Sequence, residues 1–467
     1  MARAGAQKSA SQALPLSRRS RILAPHFQRR LSMSGLRSDA QQPFGGVSRR
    51  GFLGGSLAAL AGGLATPALG EASDAQAWRE RVRPAGALDA AYWARVRREF
   101  NMVDDISYMN NGTMGPLPTP VVEAQTRYLR ELAADPRARR DTELVREKLA
   151  NFVGADADEV LFTRSTTEGM KVFCRGLDLN PGDDVLMSSH EHPGGYGPWR
   201  AREDRDGVVV RTVDIPAPPE SAAQVIDICE RAIRPETKVL VVSYPIFVTG
   251  LLMPIAGLAE MAHRHDVLLS VDGAHALGML DLDLHAMGCD HFATAGQKWL
   301  LAGSGTGMAY FSRNVQDRIW GDMWRRTPAE GARKYESSGQ RHMPSLWGMG
   351  DAIDFHSAIG KTNIQSRVRS LATRLKDGLA EISGAGVGTS GSAEMSGGLT
   401  TFYVDGVPKA NMTKALMDRE RIYMPGSGLN DFSCRASTHF YNTEDEVDRV
   451  LSVVRHVAEN RATYSDA

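Results

Sequence analysis

The sequence predicts an α/β protein, with a large domain on a mostly parallel sheet followed by a smaller α+β C-terminal domain. Three observations lead there. Between about residues 119 and 315, short apolar strands alternate with helical stretches of ~10–15 residues, the pattern of a doubly wound sheet. Two of the strands, KVLVVSY and VLLSVD, are apolar without interruption, as expected where both faces of a sheet are covered. Further on, the order changes to a long helix, a strand, a helix and a final helix, which breaks the alternation.

The chain has 467 residues, enough for one large core or two moderate ones. An apolar fraction of 42% and a charged fraction of 24% are ordinary for a globular enzyme. Lys plus Arg and Asp plus Glu are both 55, so the net charge is zero, and a broad nucleic-acid surface is not expected. The four cysteines, Cys174, Cys229, Cys289 and Cys434, show no paired spacing for zinc or a disulfide framework.

Residues 1–70 read as a basic tail ending in an export signal. Ser48-Arg49-Arg50-Gly51-Phe52-Leu53 is followed by a weakly apolar Gly/Ala-rich run and by small residues suited to cleavage near Ala68-Leu69-Gly70. The run is too short and Gly-rich for a stable membrane span, so no permanent anchor is expected. It resembles a twin-arginine (Tat) signal, which would send the protein through the Tat machinery to the periplasm or otherwise out of the cell. The long stretch ahead of the arginines makes Met33 an alternative start.

Residues 71–118 follow as a helical arm and the access loop YMNNGTMGPLP, and residues 119–330 as the large domain. Its strands are EVLFT (159–163), DVLMSS (184–189), VVVRTV (208–213), KVLVVSY (238–244), VLLSVD (267–272), HFATA (291–295) and GMAYFS (307–312). Residues 331–467 form the small domain, with one long helix over 347–383, a Gly/Ser-rich turn region, a strand at 399–404 and a helix at 409–420. RASTHFY then leads into the last helix.

The chemistry begins at VLLSVDGAHALG. A buried strand ending in Asp272 puts a carboxylate at the carboxyl edge of the sheet, where open α/β folds bind ligands. Alone, Asp272 could simply cap a turn. It is followed by Lys298, in a small-residue loop within TAGQKWLLAGSGTG. A lysine there can form a Schiff base, and an aspartate can keep a pyridine nitrogen protonated. Together they make the electron sink of pyridoxal 5'-phosphate. His275 could contact the ring's phenolic oxygen, although by itself it reads as a loop histidine.

Upstream, Ser165-Thr166-Thr167-Glu168 opens a helix after a strand. It is a capping box, and its free N–H groups and hydroxyls also suit a phosphate. Ser189-His190-Glu191-His192-Pro193 hints at metal, but alternate residues on an extended chain point apart and no third ligand presents itself. An imidazole stacked on a cofactor ring fits better. Arg435, in SCRASTHFYNTEDEVD, would ordinarily make a salt bridge; here it can grip a substrate carboxylate with its planar fork.

Over about residues 105–458 the chain resembles the class V aminotransferases among fold-type-I pyridoxal-phosphate enzymes, closest to the isopenicillin N epimerase-like branch. EHPGGYGPW is similar to that family's E-H-x-x-x-x-x-P-W segment, VDGAH to its D-x-x-H/Q turn, and QKWLLAGSGTG to its H-K-W-L-x-A-x-x-G-x-G. RASTHFYNTEDEVD resembles its R-x-S-x-x-x-Y-N-T-x-x-E ending. The resemblance implies a Schiff base on Lys298, Asp272 on the pyridinium and His192 stacked on the ring. It further implies His275 on the phenolic oxygen, Arg435 on the substrate carboxylate, and Asn111 and Gly112 along the substrate site.

Departures carry information as well. Gln297 replaces a histidine before the lysine and Ala295 replaces a serine, so phosphate binding would fall to Thr166, Thr167, Thr294 and Gln297. Gly339-Gln340 stands where relatives have Gly-Thr, and there the segment reaches the partner subunit's phosphate. A homodimer completed in trans by Gln340 is therefore expected. Tyr244 replaces an asparagine of the cysteine desulfurases, and PGSGLNDFS holds no mobile-loop thiol, which argues against desulfuration. Transamination and epimerisation at the α-carbon of an amino acid or aminoacyl group both remain open, with Tyr196, His342 and Tyr244 as candidates for a second acid. So do β- or γ-elimination and a non-catalytic binding relative.

Overall fold

The computed structural model describes residues 71–321, 330–336 and 339–465. Arg49, Arg50 and the rest of the expected export signal lie outside these residues.

Strand β1 (Ser107–Tyr108) ends the arm, and seven strands then follow. They are β2 (Val160–Thr163), β3 (Asp184–Ser188), β4 (Val209–Val213), β5 (Thr237–Ser243), β6 (Leu268–Asp272), β7 (His291–Ala295) and β8 (Gly307–Phe311). They form one sheet in the order β2-β8-β7-β6-β5-β3-β4. Only β8 runs against the rest, pairing antiparallel with β2 and β7. Every strand falls within a residue or so of its sequence prediction, because continuous apolar runs flanked by turns have few other ways to be buried. Val239, Leu240, Val241 and Val242 of β5 are all fully buried. Each contributes about 1.5–3 kcal/mol of hydrophobic stabilisation.

A second sheet of three strands holds β9 (Ala385–Val387), β10 (Leu399–Val404) and, after β11 (Ile422–Tyr423), β12 (Cys434–Ser437). Its order is β12-β10-β9, antiparallel throughout. β1 pairs in parallel with β11, tying the arm to the C-terminal part. Neither β1, β9 nor β11 stands out in the sequence, since strands of two or three residues carry no periodicity.

Two expected helices are divided. The arm forms Glu71–Val82 and Ala90–Arg97, separated at Pro84 and Gly86. The single helix expected over 347–383 is two, Met343–Ile359 and Lys361–Ala380. Gly360 between them has φ of 99°, a conformation that an L side chain would strain. The second of these helices spans both cores. Ile364 and Val368 join the large cluster with Leu149 and Phe292, whereas Leu371, Leu375 and Leu379 join the cluster of β10 and β12. No described helix is long and apolar enough to cross a membrane.

Candidate active site

The carboxyl ends of the parallel strands converge on one cavity of about 280 Å³. β2 leads to Thr166 and Thr167 in the first turn of the helix Thr166–Gly176, where the N-cap Ser165 accepts from Glu168 N. β3 leads to His192, itself an N-cap, whose Nδ1 accepts from Gly194 N at 3.0 Å. β6 ends in Asp272 and turns through Ala274 to His275, and β7 runs into Gln297 and Lys298. Gly112 and Thr113 of the access loop and Arg435 of β12 close the cavity. Gly112 is required by close approach, because a Cβ there would lie 2.8 Å from Ser437 Oγ and 3.1 Å from the His275 ring.

Lys298 Nζ lies 3.3 Å from His275 Nε2. Burial depresses the amine from its usual value to about 8, opposed by Asp272 and helped by Arg435. Asp272 is 3% exposed, and its Oδ1 accepts from Ala274 N at 3.1 Å. Burial raises its carboxyl pKa, so the carboxylate gains from a cationic partner. His275 is held well below the usual histidine range, first by burial and then by Lys298, Arg435 and His192. His192 is also lowered, by burial and by the charges of Lys298 and Arg435. Arg435 is buried, with Nη1 donating to Phe247 O at 3.1 Å and Nε without a partner. Burial brings the guanidinium down to about 10.

The residues present fit pyridoxal 5'-phosphate. The Thr166 hydroxyl, which can donate, is buried without a hydrogen-bond partner at the wall that would meet the phosphate. Asp272 and Lys298 share that cavity with His192 and His275.

Three of the expected site residues are not at the cavity wall. The Thr294 hydroxyl donates to Gly273 O at 2.7 Å, inside the sheet. Asn111, within the access loop, lies off the wall, its Oδ1 accepting from Tyr441 OH at 3.1 Å and its Nδ2 donating to Lys298 O at 3.4 Å. It braces the lysine's main chain. Gln340 is exposed and takes no part in this cavity. Tyr196, Tyr244 and His342 are also absent from the wall, and His342 caps a helix by accepting from Ser345 N.

Other residues were not singled out by sequence. Phe247 lies edge-on to His192, with ring centroids 5.0 Å apart. Glu191 is buried next to Asp272 and accepts from Ser188 Oγ, Ser243 N and Ser243 Oγ. Burial raises its pKa to about 8. Glu191 was visible only as the first residue of the EHPGGYGPW segment, and its burial between two serines on neighbouring strands was not. Phe247, after an apolar strand, looks like core.

Residues 108–450 match the family described as aminotransferase class-V. The chain belongs to the class-V aminotransferase family. It is 31% identical to an isopenicillin N epimerase of Amycolatopsis lactamdurans over 396 residues, covering 79% of this chain and 99% of that one. A probable cysteine desulfurase of Methanothermobacter thermautotrophicus is 27% identical, covering 78% and 97%. Among solved structures, a cysteine desulfurase from Escherichia coli superposes with a TM-score of 0.70 at 22% identity, covering 80% of this chain and 100% of that one. The cystine C-S lyase C-DES, solved with cysteine persulfide, gives 0.69 at 23%, covering 75% and 98%. The architecture is that of the fold-type-I enzymes, and the cofactor of this class-V family member is pyridoxal 5'-phosphate.

Proposed function

We propose that this class-V enzyme is exported and acts at the α-carbon of an amino acid or aminoacyl group, through a covalent attachment of the cofactor at Lys298. The observation that carries the reading is Arg435. A buried guanidinium whose Nε has no partner, across a cavity from Lys298 and Asp272, is stabilised by a substrate carboxylate. When bound, pyridoxal 5'-phosphate supplies a sink for the electron pair left on the α-carbon. Thr166, Thr167 and Gln297 would hold its phosphate, His192 its ring face and Asp272 its ring nitrogen. Lys298, with its amine brought down to about 8, is neutral often enough near that pH to take and return the α-proton.

Desulfuration is disfavoured by the cysteines. All four are buried, and none lines the cavity. Cys434 precedes Arg435 on β12, where successive side chains face opposite ways, and burial pushes its thiol up to about 12. Racemisation would need a second acid on the far side of the α-carbon. None of Tyr196, Tyr244 and His342 reaches the wall in one protomer, which favours transamination or a partner-supplied acid. The deciding experiment incubates the holoenzyme with L- and D-amino acids, with and without 2-oxo acids, and reads the products by mass spectrometry. Turnover of amines lacking a carboxylate, in preference to amino acids, would overturn the reading.

Arg435→Lys is expected to raise KM by about tenfold or more while altering kcat less, because one ammonium cannot reproduce two parallel hydrogen bonds to a carboxylate. An unchanged KM would move the carboxylate elsewhere. The homodimer reading rests on Gln340, exposed and outside its own cavity. Export rests on Arg49 and Arg50. Arg49→Lys combined with Arg50→Lys is expected to leave the protein in the cytoplasm on cell fractionation, and unchanged periplasmic protein would refute that route.

A further inference from the structure

The side chain next to Lys298 points away from the cavity and into the core. Trp299 is fully buried, and its indole Nε1 donates to His275 Nδ1 at 3.1 Å. An indole N–H is a donor only, so Nδ1 must present its lone pair. His275 is 3% exposed, with Lys298, Arg435 and His192 as the cationic or titratable groups facing it and Asp272 beyond Lys298. A second positive charge there is unfavourable, so the ring is neutral and carries one proton. With Nδ1 occupied by a donor, that proton sits on Nε2, the atom 3.3 Å from Lys298 Nζ.

We propose that Trp299 is the positioning residue that fixes the tautomer of His275, so that the imidazole presents an N–H, never a lone pair, to the lysine and the cofactor oxygen beside it. The inference rests on the reading that Lys298 carries the cofactor. The indole has no room to swing. Its ring packs against His439 with centroids 5.1 Å apart, and the Trp299 carbonyl accepts from His439 Nε2 at 2.8 Å. His356 Nε2 approaches the same carbonyl at 3.1 Å. Thus two adjacent residues divide the work, one binding the cofactor and the other setting the proton on the group that faces it. A histidine's tautomer is decided by what its other nitrogen meets, and here that partner admits one answer.

The inference has a spectroscopic consequence. A donor aimed at the ring's phenolic oxygen stabilises its anion, so the proton shared with the lysine nitrogen leaves at lower pH. Without Trp299 Nε1–H, the His275 proton is free to move to Nδ1, and the donor is lost. In the cofactor-loaded enzyme, Trp299→Phe is therefore expected to raise the pH at which the near-visible absorbance changes form by about one unit. In a His275→Ala background the same substitution should produce no further shift. Replacing Trp299 by β-(benzothienyl)alanine, which keeps the shape and puts sulfur in place of the N–H, should reproduce the shift and covers the case in which Phe does not fold. An equal shift with and without His275, or no shift in the benzothienyl protein, would overturn the proposal. If borohydride fails to trap the cofactor on Lys298 in the unsubstituted enzyme, the site reading itself fails first, and the two failures are told apart.

Discussion

Lys298→Ala is expected to abolish borohydride-trappable cofactor attachment and to lower turnover by at least about 10⁴-fold, since on the proposed reading one side chain supplies both the covalent link and the acid–base group. The fold should survive. The bonds that shape the lysine loop are made to main-chain atoms: Gly115 N donates to Gln297 O at 2.9 Å, and Asn111 Nδ2 to Lys298 O at 3.4 Å. Alanine keeps both carbonyls and removes only a buried amine that burial had already pushed toward neutrality. Thermal unfolding of the apoprotein should therefore be little changed. Peptide mapping after reduction is the decisive measurement, and label on another lysine would displace Lys298 from its assigned role.

Asp272→Asn comes next in size, with an expected loss of about 10²–10³-fold in kcat. The amide is isosteric and can still accept from Ala274 N, as Asp272 Oδ1 now does at 3.1 Å, so local geometry is kept while the charge is lost. What disappears is the anion that, on the proposed reading, would keep a ring nitrogen protonated in a buried site. A cofactor methylated at that nitrogen carries its charge permanently and should recover part of the loss. Near-normal turnover of Asp272→Asn with the ordinary cofactor would mean that the ring's charge is held by some other group.

The sheet was legible in the sequence because each strand is a short, largely apolar run ending in a turn, and because the chemistry-bearing residues Asp272, His192, Lys298 and Thr166 all sit at or just beyond such ends. The cavity collects all four. Gly112 and Arg435 were legible for a different reason, through motifs similar to a known family. Where an expected residue lies off the cavity wall, the direction of its side chain explains it for Thr294 and Asn111. Thr294 precedes Ala295 on β7, and in a strand neighbours face opposite ways, so Ala295 reaches the cavity and Thr294 the interior. Asn111 and Gly112 are likewise adjacent, yet one braces the main chain of the lysine and the other lines the cavity. The helix expected over 347–383 is broken at Gly360. Its positive φ is a property of the backbone that composition does not reveal. The contact of Trp299 Nε1 with His275 Nδ1 joins residues 24 apart and has no counterpart in the sequence pattern.

Three consecutive carbonyls of the lysine loop, at Gln297, Lys298 and Trp299, are held by Gly115, Asn111 and His439 in turn. The first two partners precede the lysine in the chain, but His439 lies far downstream of it and is made later. A nascent chain thus carries its reactive amine long before that amine has a shaped surrounding. The full set of contacts that shapes the lysine loop therefore closes only once the segment carrying Arg435 and His439 has been made.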